Sequence, residues 1–312
     1  MKTGFCFILI LPLLYITQLM AASDIKVLVS IKPFHSLVSA IMQDVSEPLL
    51  LINGNNSPHS YALRPSSAEN LQQADLVFWG GEILEGFLTK PLQSLASRAK
   101  LVSLQETAGL RLLPLRSGIG WQKHETDSAN DHSAEDETTS TSGTDPHIWL
   151  DPYNAKIISS KIVEILTEMD PQNAQSYRRN GEKYGLRLEL LDRKLKAEMT
   201  KVAETPYMVF HDAYQYFEKR YQLNVVGSMT LHIGFGSSVR RLTAVRKTIQ
   251  KEKIRCIFSE PQFSPKLLQT VIAGTNVKQG TLDPLGAGLE SGAELYFTLL
   301  NNLSHNLSSC LN

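Results

Sequence analysis

Two runs of strand–helix alternation, divided by one long helical pattern, leave this 312-residue chain few folds to choose from. From Ser23 to about Leu115, strand-like runs at Ile25–Ser30, Pro48–Ile52, Leu76–Trp79 and Leu101–Leu104 alternate with helical spacing at His35–Met42, from Ser66 through Gln73, and at Leu84–Ser97. Ser66-x-x-Glu69 reads as a capping box for the second of these helices. The alternation resumes after Pro206, with strands at Tyr207–Phe210, Leu223–Val226, Ile254–Ser259 and Val277–Gly280. The helices between and after them are predicted at Asp212–Tyr221, Ser238–Lys251, Ser264–Ala273 and Gly292–Leu307. Between the two runs, Asp151-Pro152 and Asp170-Pro171 each place an N-cap before a proline suited to the first helical position. Gln172–Val202 then carries Tyr184, Leu188, Leu191 and Leu195 at three- and four-residue steps among many charges, a long amphipathic helix weakened locally by Gly181 and Gly185. At 1.5 Å per residue it would reach about 45 Å. The reading is α/β: two lobes with parallel sheets flanked by helices, 23–169 and 205–312, joined by one long helix in 170–204.

The N-terminus has the pattern of a secretory signal over residues 1–22: Lys2, an apolar run Phe5–Leu14 too short to span a bilayer comfortably, and small residues at Ala21-Ala22-Ser23. An uncleaved anchor is the alternative; Cys6 lies too early in the apolar run to bear a lipoprotein lipid. About 290 residues would remain, room for two lobes with full cores. Charge is balanced, 31 basic against 31 acidic, with no basic stripe for nucleic acid and no second apolar span for a membrane channel. The exported chain would keep Cys256 and Cys310. In an oxidising compartment these favour one disulfide over two separate thiols. Closing a loop of about 55 residues would stabilise by about 4 kcal/mol at the upper end. Residues 116–144 are rich in Ser, Thr, Asp and Glu, hold His124 and His132, and lack a hydrophobic period. They are expected to form a mobile loop, either a plain solvated linker or a weak metal gatherer.

The chemistry concentrates in three histidines. Ser57-Pro58-His59-Ser60-Tyr61, Asp145-Pro146-His147-Ile148-Trp149-Leu150 and Val209-Phe210-His211-Asp212-Ala213-Tyr214 place them 88 and 64 residues apart, so only the whole fold can bring them together. Ligands of open parallel sheets collect beyond the carboxyl ends of strands. His211 ends a predicted strand, and His59 and Asp283 follow others. Each histidine alone reads as a surface or capping residue. Converging in an interlobe cleft, they supply three of the four ligands of a zinc-type tetrahedron. Asp283, in Thr281-Leu282-Asp283-Pro284-Leu285, is a candidate fourth ligand; a turn cap before proline is its other reading, leaving the position to water or a nearby carboxylate. Glu82 and Glu260, near strand ends, are candidates for a supporting role. His35 at a helix start reads as structural, His305 as surface, and His232 lies in the Gly-rich stretch 227–236. There is no His-Glu-x-x-His, no Gly-x-Ser-x-Gly and no Gly-rich phosphate loop, so the pattern is that of a binder rather than an enzyme.

These motifs resemble the metal-specific substrate-binding proteins of bacterial ABC transporters, the cluster A-I or cluster 9 family, and among them the zinc-uptake members. The resemblance runs over nearly the whole exported chain: Ser30-Ile31-Lys32-Pro33, Pro58-His59-x-Tyr61 with Arg64-Pro65-Ser66, Asp145 through Pro152, Phe210 through Tyr214, Phe258-x-Glu260-Pro261-Gln262 and Leu282-Asp283-Pro284-Leu285. It implies two lobes on one rigid helix with metal between them, His59, His147 and His211 as ligands, and Asp283 as the aspartate that completes many such sites. Zinc-type members carry histidine where manganese-type members carry glutamate, so His211 points to Zn²⁺, in keeping with ligand preference. Cys256 and Cys310 match a disulfide of the second lobe in Gram-negative members. The loop at 116–144 departs from the long histidine-rich loop of such members, and Thr230 through Gly236 replaces an expected Pro-Gly-Ala element. The expectation is a monomeric periplasmic protein that binds Zn²⁺ tightly and delivers it to a membrane ABC permease. The alternatives are manganese or iron specificity, an exported zinc hydrolase, or an adhesion protein with structural metal.

Overall fold

In the computed structural model, residues 25–116, 143–230, 239–264 and 266–312 are described. The expected signal segment, His124, His132 and His232 lie outside them. The first lobe is built on β1 (Val27–Val29), α1 (Lys32–Ile41), β2 (Leu49–Leu50), α2 (Pro65–Gln73), β3 (Leu76–Trp79), α3 (Glu82–Glu85), α4 (Thr89–Leu95) and β4 (Lys100–Ser103). α5 (Pro152–Met169) and α6 (Ala174–Met199) follow. The second lobe comprises β5 (Tyr207–His211), α7 (Gln215–Tyr221), β6 (Val225–Thr230), α8 (Val239–Lys251), β7 (Cys256–Ser259), α9 (Lys266–Ile272), β8 (Lys278–Thr281) and α10 (Leu295–Leu311).

Both sheets are parallel, with the same topology: β2-β1-β3-β4 and β6-β5-β7-β8. Val27, Leu28 and Val29 are all buried, as a central strand covered on both faces requires. In each sheet the crossovers leave the first strand in opposite directions, so a crevice opens beyond the carboxyl ends of β1 and β3, and again beyond β5 and β7. His211 ends β5, and Glu260 directly follows β7, so both stand at the second crevice.

Several local expectations are corrected. α2 starts at Pro65 with extended Arg64 before it and no side-chain cap; proline at N1 sets the start, and Ser66 lies inside the helix. The helix expected at Leu84–Ser97 is broken into α3, a 3₁₀ turn at Gly86–Leu88, and α4. β6 begins at Val225, after Gln222 takes a left-handed φ of 56° that turns the chain. Asp151 does cap α5, accepting from Tyr153 N at 2.8 Å. α6 has 26 residues, about 39 Å at 1.5 Å each, entered through a 3₁₀ turn at Pro171–Asn173. Gly181 has a packing reason: a methyl there would lie 2.4 Å from Val163 Cγ2, so its absence lets α5 and α6 approach.

α1, α5, α6 and α10 form one buried layer through which the two lobes share a continuous core. Phe34 meets Trp149 edge-on at 5.5 Å. The Trp149 indole donates to Pro284 O at 2.8 Å, and the Tyr296 hydroxyl to Trp149 O at 2.6 Å. A smaller core, including Met229, Val245, Ile257 and Leu268, lies under α8 and α9. Cys256 of β7 and Cys310 of α10 are disulfide-bonded with Cα atoms 6.1 Å apart, so the pair is not two separate thiols. No described helix is long and apolar enough to cross a membrane.

Candidate metal centre

Each histidine is delivered by a different kind of local structure. His59 lies in the 3₁₀ turn Pro58–Ser60, started by Pro58 after β2. His147 precedes the 3₁₀ turn Ile148–Leu150 and is 4% exposed. His211 is the last residue of β5 and is likewise buried. Their rings meet with centroids 5.3, 5.5 and 5.0 Å apart. One ligand nitrogen from each lies within 4.8 Å of the others. His59 Nε2 and His147 Nε2 are 3.2 Å apart. Two nitrogens bound to one tetrahedral zinc at about 2.0–2.1 Å would be separated by about 3.3 Å. That pair is thus already at the spacing of zinc ligands.

The surroundings fix the rings. Asp145 Oδ1 faces His147 Nδ1 at 2.7 Å and accepts from His147 N at 3.0 Å. With the proton on Nδ1, the Nε2 lone pair points into the cluster. Asp145 is itself held by its backbone: its N donates to Leu113 O at 2.8 Å and its O accepts from the Tyr216 hydroxyl at 2.8 Å. Both carboxylate oxygens of Glu260 stand 3.5 Å from His211 Nδ1. Arg116 pairs with Asp212, next to His211, and with Glu218 Oε2 at 2.8 Å. The three histidines share a small cavity with Trp149, Glu260, Gln262 and Phe263.

Burial governs the charges here. It drives His147 well below the ordinary histidine value, helped by His211 and opposed by Asp212. It pushes the Asp145 carboxyl up to about 7 against the pull of the His147 N–H and Arg116. Burial favours the uncharged form of both partners, so the Asp145–His147 contact is a ring-fixing hydrogen bond rather than an ion pair. His211 differs: burial lowers its pKa, but Glu260, Asp212 and Asp145 together outweigh that and the net direction is upward.

Asp283 is not among the residues whose ligand atoms lie within 4.8 Å of one another. Its Oδ1 accepts from Gln262 Nε2, Leu285 N and Gly286 N at 3.0–3.1 Å, and its Oδ2 from Ala287 N at 2.6 Å. The turn-cap reading describes this geometry. Glu82 is exposed, whereas Glu260 is buried beside His211. His35 faces Pro48 O at 2.9 Å through Nε2 and the Ser39 hydroxyl at 3.3 Å through Nδ1, a structural role; His305 is exposed. Sequence reasoning gave no role to Asp145, Gln262, Arg116 or Lys32. Only Asp145 carried a signal, an acceptor two residues before a candidate ligand.

Fold and site together define a class: a two-lobed α/β metal-ion binder, with three imidazoles gathered from a turn after β2, a turn before α5 and the carboxyl end of β5. Residues 27–310 match the family described as zinc-uptake complex component A, periplasmic (ZnuA). The chain belongs to this family. The high-affinity zinc uptake system protein ZnuA of Brucella abortus (strain 2308) is 40% identical over 304 residues, covering 91% of each chain. The protein of the same name from Yersinia pestis is 35% identical over 289 residues, with 91% of each covered. Among solved structures, a crystal structure of ZnuA superposes with a TM-score of 0.76 at 23% identity, covering 93% of this chain and all of the other, a likeness of fold.

Proposed function

We propose that this chain captures Zn²⁺ in the periplasm and delivers it to a membrane ABC permease, acting as a monomeric binding protein and not as an enzyme. His59, His147 and His211 are the ligands, and solvent takes the fourth position. Asp283 acts from behind the cavity wall. The observation that carries this reading is the 3.2 Å spacing of the His59 and His147 Nε2 atoms, with a His211 nitrogen within 4.8 Å. Three nitrogen donors suit zinc better than manganese. Its relatives in Brucella abortus and Yersinia pestis are named as high-affinity zinc uptake proteins. Residues 1–22 serve as a cleaved export signal, and the Cys256–Cys310 disulfide suits an oxidising compartment.

The test is calorimetric titration of chelator-stripped mature protein with Zn²⁺ and Mn²⁺, repeated on His211→Ala and His147→Ala. One tight zinc per chain, much weaker manganese and a large loss in both variants are expected. Equal or better manganese binding, or variants that match the wild type, would mean that the ligands lie elsewhere.

A further inference from the structure

Lys32 opens α1 in the first lobe and is 6% exposed. Its ammonium crosses to the second lobe and donates to Gly286 O at 3.3 Å, Ala287 O at 2.8 Å and Leu289 O at 2.7 Å. All three of its donors are thereby used. The loop that receives them is gripped from its other side by Asp283, which gathers the amides of Leu285, Gly286 and Ala287. Gly286, at φ 66°, supplies the left-handed turn in this loop. Pro284 and Leu285 line the metal cavity, and Pro284 O takes the Trp149 indole N–H from the first lobe. Gln262, another lining residue, donates to Asp283 Oδ1. Asp283 is therefore one hydrogen bond behind the cavity wall. Three of its four hydrogen bonds converge on Oδ1 and the fourth, from Ala287 N, reaches Oδ2, so both oxygens are engaged by the loop and its neighbour Gln262.

We propose that Lys32 is a specificity-determining positioning residue: by seating the 283–289 loop on the first lobe it keeps Asp283 engaged as a backbone cap, so the site stays rich in nitrogen and prefers Zn²⁺ to Mn²⁺. This rests on the three-histidine reading above. Imidazole suits zinc, whereas added carboxylate oxygen suits manganese. Without the ammonium, three carbonyls at the lobe seam lose their donor, the loop relaxes, and Asp283 exchanges backbone amides for the cation.

The test measures Zn²⁺/Mn²⁺ competition and the visible absorption of the Co²⁺-loaded mature protein. The proteins are wild type, Lys32→Met, the milder Lys32→Gln, and Lys32→Met combined with Asp283→Asn. In Lys32→Met the preference for zinc should fall by about tenfold or more, the size of effect expected of a residue supporting a metal site. Lys32→Gln should move the same way by less. The Co²⁺ band should weaken as the Asp283 carboxylate joins the three histidines and solvent as a fifth ligand, and Asp283→Asn should restore both readouts. An unchanged ratio and band in folded Lys32→Met would overturn the proposal, as would a change that persists when Asp283 is also replaced. If Lys32→Met does not fold, Lys32→Gln decides by the same criteria. Failure of the wild type to bind one zinc would instead sink the three-histidine reading itself.

Discussion

Replacing Asp145 separates what its shape contributes from what its charge contributes. Both His147 bonds run to the same oxygen, Oδ1, from the backbone N at 3.0 Å and to Nδ1 at 2.7 Å. In Asp145→Asn an amide oxygen can occupy that place and keep both. In Asp145→Ala nothing can, and two donors are left unpartnered in a site where His147 is 4% exposed. Losing a partner that orients a metal-binding histidine costs about 10- to 100-fold in metal affinity, or about 1.4–2.7 kcal/mol. Each stranded donor destabilises the fold by about a further 1–3 kcal/mol. Asp145→Ala should therefore weaken zinc binding by that factor and lower the melting temperature of the metal-free protein, whereas Asp145→Asn should keep most of the affinity. Charge has a separate signature. With its pKa raised to about 7, Asp145 holds a proton more tightly folded than unfolded. Its contribution is then present at low pH and lost as pH rises from about 4 towards 7. The difference in stability between wild type and Asp145→Asn should thus move in favour of the asparagine variant across that window. The assays are zinc competition against a chelator and denaturant melts from pH 4 to 8. Equal zinc affinity in Asp145→Ala and wild type would refute the claim that Asp145 aims His147.

Three further outcomes are expected. Zinc affinity should fall as pH drops, because the proton held by His211, whose pKa lies above the ordinary histidine value, competes with the cation while His147 stays neutral; a Kd independent of pH from 8 to 5.5 would contradict this. Gly181→Ala should destabilise by about 1–3 kcal/mol through overpacking against Val163, and Val163→Ala should recover much of it; a melt showing no loss would mean that α5 and α6 yield freely. Removing the disulfide by Cys256→Ala with Cys310→Ala should cost about 2–5 kcal/mol in denaturant titration while leaving zinc stoichiometry unchanged, since the bridge lies between β7 and α10 and not at the site.

The architecture was legible because two periodicities alternate visibly, and a charged stripe with Tyr184, Leu188, Leu191 and Leu195 cannot be anything but a helix on one face of a core. Helix boundaries were harder where proline and capping chemistry compete. Pro65 set the start of α2, and Ser66, which has the capping pattern, ended up inside the helix. Of the three histidines, His59 and His211 stood out by their placement after predicted strands, and His147 by the motif Asp145 through Leu150. The hydrogen bonding of Asp283 was not legible, because an aspartate before proline looks the same whether its oxygens meet a cation or the amides of Leu285, Gly286 and Ala287. Lys32 and Arg116 were illegible for a related reason. Their partners lie more than 250 and about 100 residues away in the chain, and only the fold brings a lysine to the carbonyls of Ala287 and Leu289 or an arginine to Asp212.

The seam between the lobes also limits how bound zinc can leave. A hinge that swung the lobes apart would pull Trp149 from Pro284 and Tyr296, and Lys32 from its loop. Trp149 and Tyr296 are fully buried, and aromatic side chains of this kind cover about 150–250 Å² each. Exposing both would cost about 8–12 kcal/mol at 25 cal/mol per Å². That rivals the whole stability of an ordinary domain, about 5–15 kcal/mol. Rigid opening therefore competes with unfolding, and α6 adds a long brace packed on α1, α5 and α10. The inexpensive movements are those of the pieces that reach the ion without carrying the seam. The Pro58–Ser60 turn that bears His59 is one: His59 is the least buried of the three ligands, and withdrawing it breaks a single metal bond rather than a core. Comparison of metal-free and zinc-loaded protein by hydrogen exchange should then show protection changing around 57–61, with α1 and α10 unchanged. Loss of protection in α1 and α10 on zinc removal would establish a hinge and overturn this account of release.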